Sequence, residues 1–309
     1  MQTVMRKKIA ILFLGDFFYD ARVINMAVSL NPYYSVTILS CFKKKLNSSL
    51  FDKIHFYQIK IKTGGWLRYL EYHHKTSNYL KNKNFDFIVS GDLYSLSAAC
   101  LNKKNNKIIY DCREIYTALS PHINKPIYSF LCYLYEKTFL KFVDDVIVTA
   151  QTDLSFLKKK YIKYSFLKWH TIYNYPIRYR VQTKNIRKQY SIPNNQIILL
   201  YQGCIHRGRG LSQLIKLTSM EPNVTSIIIG GGIEKKYYQN LSKTLKVSNK
   251  IIFIEKVPYL ELFSYSAACD IGWSLIRDKS LSYKYALPNK LFEYLFSGLP
   301  VITSPIINI

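Results

Sequence analysis

Alternation constrains this chain more than any other feature. Short apolar runs are separated by longer amphipathic stretches from one end to the other. In the first half, Ile9–Leu14, Ser35–Ser40, Phe87–Ser90, Lys107–Asp111, Val146–Thr149 and Thr171–Tyr173 read as strands. Between them, Ala21–Leu30, Trp66–Leu80 and Ile127–Val143, the last behind Pro126, carry a helical period. The second half repeats the scheme. Its strands are Ile197–Tyr201, Thr225–Ile229, Lys250–Ile254, Asp270–Ser274 and Pro300–Thr303, and its helices Leu211–Ser219, Glu234–Lys246, Tyr259–Ala267 and Asn289–Ser297. Pro258 suits a helix start, and Gly298-Leu299-Pro300 stops the last helix before the last strand. Such alternation predicts an α/β protein with parallel sheets covered by helices on both faces. Tyr175–Asn195 has Pro176, Pro193, many charges and no period, so the expected division is 1–176, a linker 177–196, and 197–309. Ligands of open α/β sheets bind at the carboxyl ends of the strands.

Charge narrows the partners. The net charge is +25, with 26 Lys/Arg against 12 Asp/Glu up to Pro176 and 18 against 7 beyond it. Both halves therefore attract anions: nucleotides, nucleic acid or anionic lipid headgroups. An ordinary solvated basic surface is the plain alternative. Apart from Lys43-Lys44-Lys45 and Lys158-Lys159-Lys160 the cations are scattered, with no nucleic-acid-binding signature, so nucleic acid is not expected as a partner. The cysteines Cys41, Cys100, Cys112, Cys132, Cys204 and Cys269 form no Cys-x-x-Cys pair and are expected as reduced core residues of a cytoplasmic protein. No stretch approaches the ~18 apolar residues that span a bilayer, so membrane contact would be peripheral, at the inner face. The Ile127–Val143 helix mixes Tyr, Phe and Leu with Lys137 and Lys141. Ordinary packing explains that mixture, and a membrane-facing or acceptor-facing surface is the alternative.

The chemistry concentrates in the second half. Tyr201-Gln202-Gly203-Cys204-Ile205-His206-Arg207-Gly208-Arg209-Gly210-Leu211 follows a strand and opens a helix. Its glycines permit a tight turn and close backbone approach. The amides opening the next helix favour an anion. Arg207 and Arg209 add charge of phosphate-matching geometry. The segment reads as a diphosphate cradle or as a glycine-rich turn with surface arginines. Ser282–Tyr294 is a polar loop running into an amphipathic helix, with Pro288 or Asn289 at its start and Glu293 one turn in. A carboxylate there can accept two sugar hydroxyls or serve as a capping or surface Glu. Ile227-Ile228-Ile229-Gly230-Gly231-Gly232 is a buried strand ending where something approaches closely, or a simple loop. His206 and the pair His73-His74 are read as turn and surface histidines rather than ligands.

In order and kind these segments resemble the retaining GT-B glycosyltransferases of family 4. Gly203 to Gly210 is similar to that family's Gly-x-hydrophobic-x-x-x-Lys-Gly turn, with Arg209 in the Lys position. Ile229–Gly232 matches its Gly-x-Gly strand end, Phe253–Leu262 its Val-Pro helix start, and Ala268-Cys269-Asp270-Ile271 its Ala-Asp-hydrophobic strand. Glu293 matches the second Glu of the Glu-x7-Glu segment, and Gly298-Leu299-Pro300-Val301-Ile302 the tail behind it. In the first half, Asp20-Ala21-Arg22, Tyr110–Glu114 and Ile172-Tyr173-Asn174 look like family landmarks.

The resemblance implies two Rossmann-like, doubly wound domains facing a central cleft. It implies transfer of a sugar from a nucleoside-diphosphate sugar to a glycan or polyprenyl-linked acceptor, with retention, as in bacterial surface polysaccharide synthesis. Arg209 would neutralise the diphosphate, assisted by Arg207, and Glu293 would bind ribose. Gly15, Arg113, Gly203, Gly231, Lys256, Val257, Tyr285, Leu287, Pro288, Asn289 and Lys290 would contact the donor. No metal or other cofactor is expected: no Asp-x-Asp or His/Asp cluster stands out, and Asp144-Asp145 reads as a strand start. The sequence departs from the family at Cys204, where an Arg is usual, at Tyr285, which stands in place of the first Glu, and at Arg113, in place of a His. Family members usually continue beyond the Pro-Val-Ile strand, so the second domain is expected to be truncated. Three other readings stand beside the transferase: a sugar-nucleotide epimerase of the same plan, a degenerate member that only binds nucleotide sugar or assists an assembly system, and a charge-driven nucleic-acid binder.

Overall fold

The computed structural model describes residues 6–119, 125–276, 284–285 and 287–305. The chain divides into two compact units, the first ending at Ile177 and the second beginning at Arg178.

The first unit is built on β1 (Lys8–Phe13), β2 (Ser35–Ser40), β3 (His55–Gln58), β4 (Phe87–Ser90), β5 (Lys107–Cys112), β6 (Asp145–Val148) and β7 (Lys168–Thr171), in the order β3-β2-β1-β4-β5-β6-β7. Every pairing is parallel. Its helices are α1 (Ala21–Leu30), α2 (Leu67–Lys81), α3 (Leu96–Leu101), α4 (Pro126–Leu140) and α5 (Gln151–Lys160). At the sheet centre Ile11 lies between Ile38 and Val89, all three buried, as the near-continuous apolar runs require. The edges differ from expectation. β3, with sequence HFYQ, alternates exposed and half-buried residues and offers no apolar run to read. β7 lies toward the amino end of the expected Thr171–Tyr173, because the alternating Lys-Trp-His-Thr makes the edge pairing.

The three landmark segments of this unit meet in one place. Arg22 donates to both carboxylate oxygens of Asp111, at 2.6–2.8 Å, and to the Ile172 carbonyl at 3.0 Å. Asn25 donates to Asn174 at 3.0 Å. Asp20 caps α1 by accepting from the Val23 amide and binds Arg113 through both oxygens at 2.9 Å. These residues tie α1 to β5 and to the segment after β7.

The second unit is built on β8 (Ile197–Gln202), β9 (Val224–Ile229), β10 (Ile251–Ile254), β11 (Ile271–Ser274) and β12 (Val301–Thr303), all parallel, in the order β10-β9-β8-β11-β12. Its helices are α6 (Ile186–Gln189), α7 (Leu211–Met220), α8 (Lys235–Thr244), α9 (Tyr259–Ser266) and α10 (Asn289–Phe296). The direction of winding reverses between β8 and β11, the place where such sheets open a crevice. Both faces of β8 are buried: Leu199 and Tyr201 pack in one core cluster, Ile198 and Leu200 in another. The stretch 177–196, expected as a linker, packs onto this unit, since Ile186 and Ile192 enter its core and Arg187 pairs with Asp270 at 2.8 Å.

Among the described residues no helix is long and apolar enough to cross a membrane. All six cysteines are free, but the expectation that they are core residues fails at Cys204, which is exposed in the turn after β8.

Candidate functional site

The carboxyl ends of β8, β9 and β10 are locked together by backbone. The Gly203 amide donates to the Ile229 carbonyl at 3.0 Å, the Ile205 amide to Gly231 at 2.9 Å, and the Gly230 amide to Ile254 at 3.0 Å. A Cβ at Gly230 would lie 1.9 Å from the Gly203 carbonyl oxygen, and one at Gly232 would lie 2.0 Å from that of Ile205. The close approach foreseen at the glycine run is therefore the neighbouring turn of the same sheet. Gly231 itself has open space at its Cβ position.

The turn after β8 delivers Arg209 and the start of α7. Gly210 caps the helix with φ +71, and the Trp273 indole donates to its carbonyl at 3.0 Å. A side chain there would meet Leu275 at 2.5 Å. The amides of the first turn of α7 carry the positive end of a ten-residue helix. Arg209 is half-buried, and its Nε donates to His206 Nε2 at 3.4 Å. The other imidazole nitrogen faces the Arg207 carbonyl at 2.8 Å, which fits a proton on Nδ1 and a lone pair on Nε2. Burial and the Arg209 charge lower the pKa of His206 and favour this neutral form.

The start of α10 comes to the same place. Tyr294 fixes the helix: its hydroxyl accepts from the Gln202 amide at 3.0 Å and donates to the Leu200 carbonyl at 2.9 Å. Its ring fills the space that a side chain at Gly272 would need. One residue earlier, buried Glu293 accepts from Gln202 Nε2 at 2.5 Å, and Gln202 Oε1 accepts from Ser266 at 2.9 Å. One turn earlier, Lys290 is buried with its ammonium 4.1 Å from the Tyr201 ring centre. Among the described residues that ammonium has no hydrogen-bond partner.

These charges perturb one another. Burial, and then the Arg209 charge, push Lys290 well below the usual lysine range, while Glu293 opposes them. Burial raises Glu293 to about 7 against the opposing Gln202 hydrogen bond and the Lys290 charge. A buried cation without an acceptor, beside an arginine and the start of a helix, is a costly arrangement for the unliganded protein. An anion with several oxygens would answer both the Lys290 and the Arg209 charge.

The remaining candidates are placed as follows. Arg207 is exposed, paired with Glu234 at 3.1 Å and lying over the Tyr237 ring. Lys256 is exposed and Val257 half-buried in the loop after β10. Tyr285, Leu287, Pro288 and Asn289 are half-buried ahead of Lys290, whereas Ser282, Tyr283 and Ala286 lie outside the described residues. Gly15 and Arg113 belong to the first unit, where Gly15 follows β1 and its carbonyl accepts from the Cys41 amide at 2.8 Å. Arg113 is held by Asp20 and lies over the Phe13 ring. Sequence reasoning missed Gln202, Ser266 and Tyr294. The signal for Gln202 was a polar residue closing the otherwise apolar run Ile197–Tyr201, which obliges a buried partner. No such signal marks Ser266. Among the described residues no three His, Cys, Asp or Glu side chains gather as metal ligands.

One seven-stranded and one five-stranded parallel sheet, with their helices, make this a GT-B fold, and comparison with solved structures agrees. The chain resembles sucrose-phosphate synthase of Thermosynechococcus elongatus with a TM-score of 0.73 at 15% identity, over 97% of this chain and 82% of that one. Anabaena HepE in complex with UDP and glucose gives 0.69 at 16% identity, over 98% and 82%. WaaG, a glycosyltransferase involved in lipopolysaccharide biosynthesis, gives 0.64 at 15%, over 96% and 81%. Residues 182–308 match the family glycosyl transferases group 1. The O-antigen biosynthesis glycosyltransferase WclY of Escherichia coli is 28% identical over 122 residues, which cover 40% of this chain and 32% of WclY. The match thus spans about a third of the length of that curated relative.

Proposed function

We propose that this chain transfers a sugar from a nucleoside-diphosphate-sugar donor to a hydroxyl of a glycan or polyprenyl-linked acceptor, with retention of anomeric configuration. We place the reaction in surface polysaccharide synthesis at the cytoplasmic face of the membrane. The observation that carries the reading is the buried ammonium of Lys290, which has no hydrogen-bond partner among the described residues and feels the Arg209 charge. Support comes from the family match, from the O-antigen role of WclY and from the UDP bound by HepE.

The reaction develops negative charge on the departing diphosphate. Fixed donors aimed at that charge lower the barrier most. Arg209, Lys290 and the α7 amides supply them without a metal ion or other cofactor. Glu293, held by Gln202, offers its other carboxylate oxygen to the ribose hydroxyls. Arg207 adds charge at the rim, and the loop Lys256–Val257 takes the base. Gly203 and Gly231 line the turns, with Tyr285 and Leu287–Asn289 facing the phosphates and sugar. The first unit serves the acceptor.

A thermal-shift panel with UDP, GDP, ADP and their sugars tests this reading. One nucleotide well above its Kd should raise apparent stability by several kcal/mol, roughly RT ln([L]/Kd). Lys290→Met should weaken that nucleotide about 30-fold while leaving the unliganded protein no less stable, since among the described residues the ammonium has no hydrogen-bond partner to lose. No shift with any nucleotide defeats the proposal. One feature favours a second reading, a binding protein without turnover: Tyr285 stands where the family pattern has its first Glu. Nucleotide binding without sugar transfer to any glycan or lipid-linked acceptor would select it.

A further inference from the structure

A helix on the surface of a soluble domain buries one stripe and exposes polar residues on the other. α7 and α8 obey this rule; α4 breaks it. Its inward face carries Cys132, Glu136 and Leu140, all buried, and Glu136 is held by the Tyr110 and Tyr161 hydroxyls. Its outward face carries Ile127, Phe130, Leu131 and Leu134, exposed by 76%, 58%, 55% and 40%. That spacing of i, i+3, i+4 and i+7 is a continuous stripe.

The stripe extends sideways. Tyr128 of α4 hydrogen-bonds Tyr94, whose ring stacks on Tyr69 of α2 at 4.9 Å. Next to Tyr69, the start of α2 exposes Trp66 by 69% and Leu70 by 57%. Two helix starts joined by three tyrosines therefore present one apolar and aromatic surface.

Its unneutralised charges on α4 and beside Tyr69 are cationic, since Glu71 near the start of α2 is bound by Lys75 and the Lys62 and Thr63 amides. Lys125 and Lys141 are exposed at the two ends of α4, Lys137 and Lys160 lie over the Tyr133 ring, and Arg68 lies over Tyr69. The acidic residue of α4, Glu136, is buried away from this face. An apolar stripe flanked by cations, with aromatic side chains at the junction, complements an anionic bilayer surface, which takes apolar groups among its acyl chains and cations at its headgroups.

We infer that the α4 face, with the start of α2, docks the first unit on an anionic lipid bilayer. The inference goes beyond the transferase reading and does not depend on the nucleotide site. Sedimentation of the full chain with vesicles tests it, using phosphatidylcholine with and without phosphatidylglycerol. The chain should sediment with the anionic vesicles, weakly with neutral ones, and less as salt rises. Phe130→Glu with Leu131→Glu should weaken binding more than about tenfold. Lys125→Glu with Lys141→Glu, both exposed, should weaken it at least about fivefold. Both variants should keep the wild-type circular dichroism spectrum and the wild-type nucleotide-induced thermal shift. Equal binding by wild type and both variants overturns the inference, as does equal binding to neutral vesicles. A concentration-dependent dimer abolished by the double Glu variant, with no vesicle binding by wild type, would assign the face to a second copy instead and equally overturn it.

Discussion

Both units bury cations near the carboxyl ends of their sheets, and they treat them oppositely. In the first, Arg22 is held by both oxygens of Asp111 and by a carbonyl, and Arg113 by both oxygens of Asp20. Those charges are complete within the chain. In the second, Lys290 has an aromatic ring beneath it, a repelling arginine nearby, a raised carboxyl one turn away and, among the described residues, no acceptor for its protons. Completed charge fixes a fold. Charge left incomplete in an equally buried position awaits a partner from outside.

The largest test of this contrast is Arg22→Met. It should cost about 3–5 kcal/mol of unfolding free energy in the first unit, because Asp111 is left charged, buried and alone. Denaturant melts should show it, and a loss under ~1 kcal/mol would mean that the first unit's charges are no better settled than the second's. Next is Glu293. Its folded pKa of about 7 stands above its ordinary 4.5, so the protonated form favours the folded state. Its stabilising protonation is complete below about 4.5 and is lost as pH rises to about 7, a change on the order of 3 kcal/mol. Glu293→Gln should therefore gain on wild type across that window, and a constant difference between the two melting curves would deny the shift. Arg209→Ala should reduce sugar transfer by at least ~100-fold, as loss of an electrostatic donor at a developing charge does. Unchanged turnover would remove Arg209 from the reaction. The smallest effect belongs to Arg207, which is exposed and already paired with Glu234. Arg207→Ala should change nucleotide affinity by less than about threefold in a titration, since exposed ion pairs contribute little. A large loss there would shift the phosphate contacts to the rim.

Most of the strand–helix order was legible in the sequence, because parallel strands buried on both faces must be continuously apolar. The central strands β1, β2, β4, β8 and β9 stand within a residue of their expected ends. What escaped lies at edges and in short buried pieces. β3 has one half-buried face and no apolar run, and α3 is too short to show a period. The turn after β8 and the start of α10 were legible as glycines, basic residues and a Glu at helix spacing. Their unseen complement was the Ser266–Gln202–Glu293 chain, since its members stand 64 and 91 residues apart and no local pattern connects them. Nor could spacing show that Arg207 turns outward while Arg209 turns in.

The hydroxyl of Tyr294 reaches back across 92 residues to the amide that ends β8. A ribosome-bound chain can pair β8 with β9 soon after both emerge. It cannot finish the floor under Glu293 and Lys290 until Tyr294 has left the exit tunnel. Nucleotide would then reward only a chain extended past Tyr294, acting in biogenesis as a stamp of assembly rather than as a template for it.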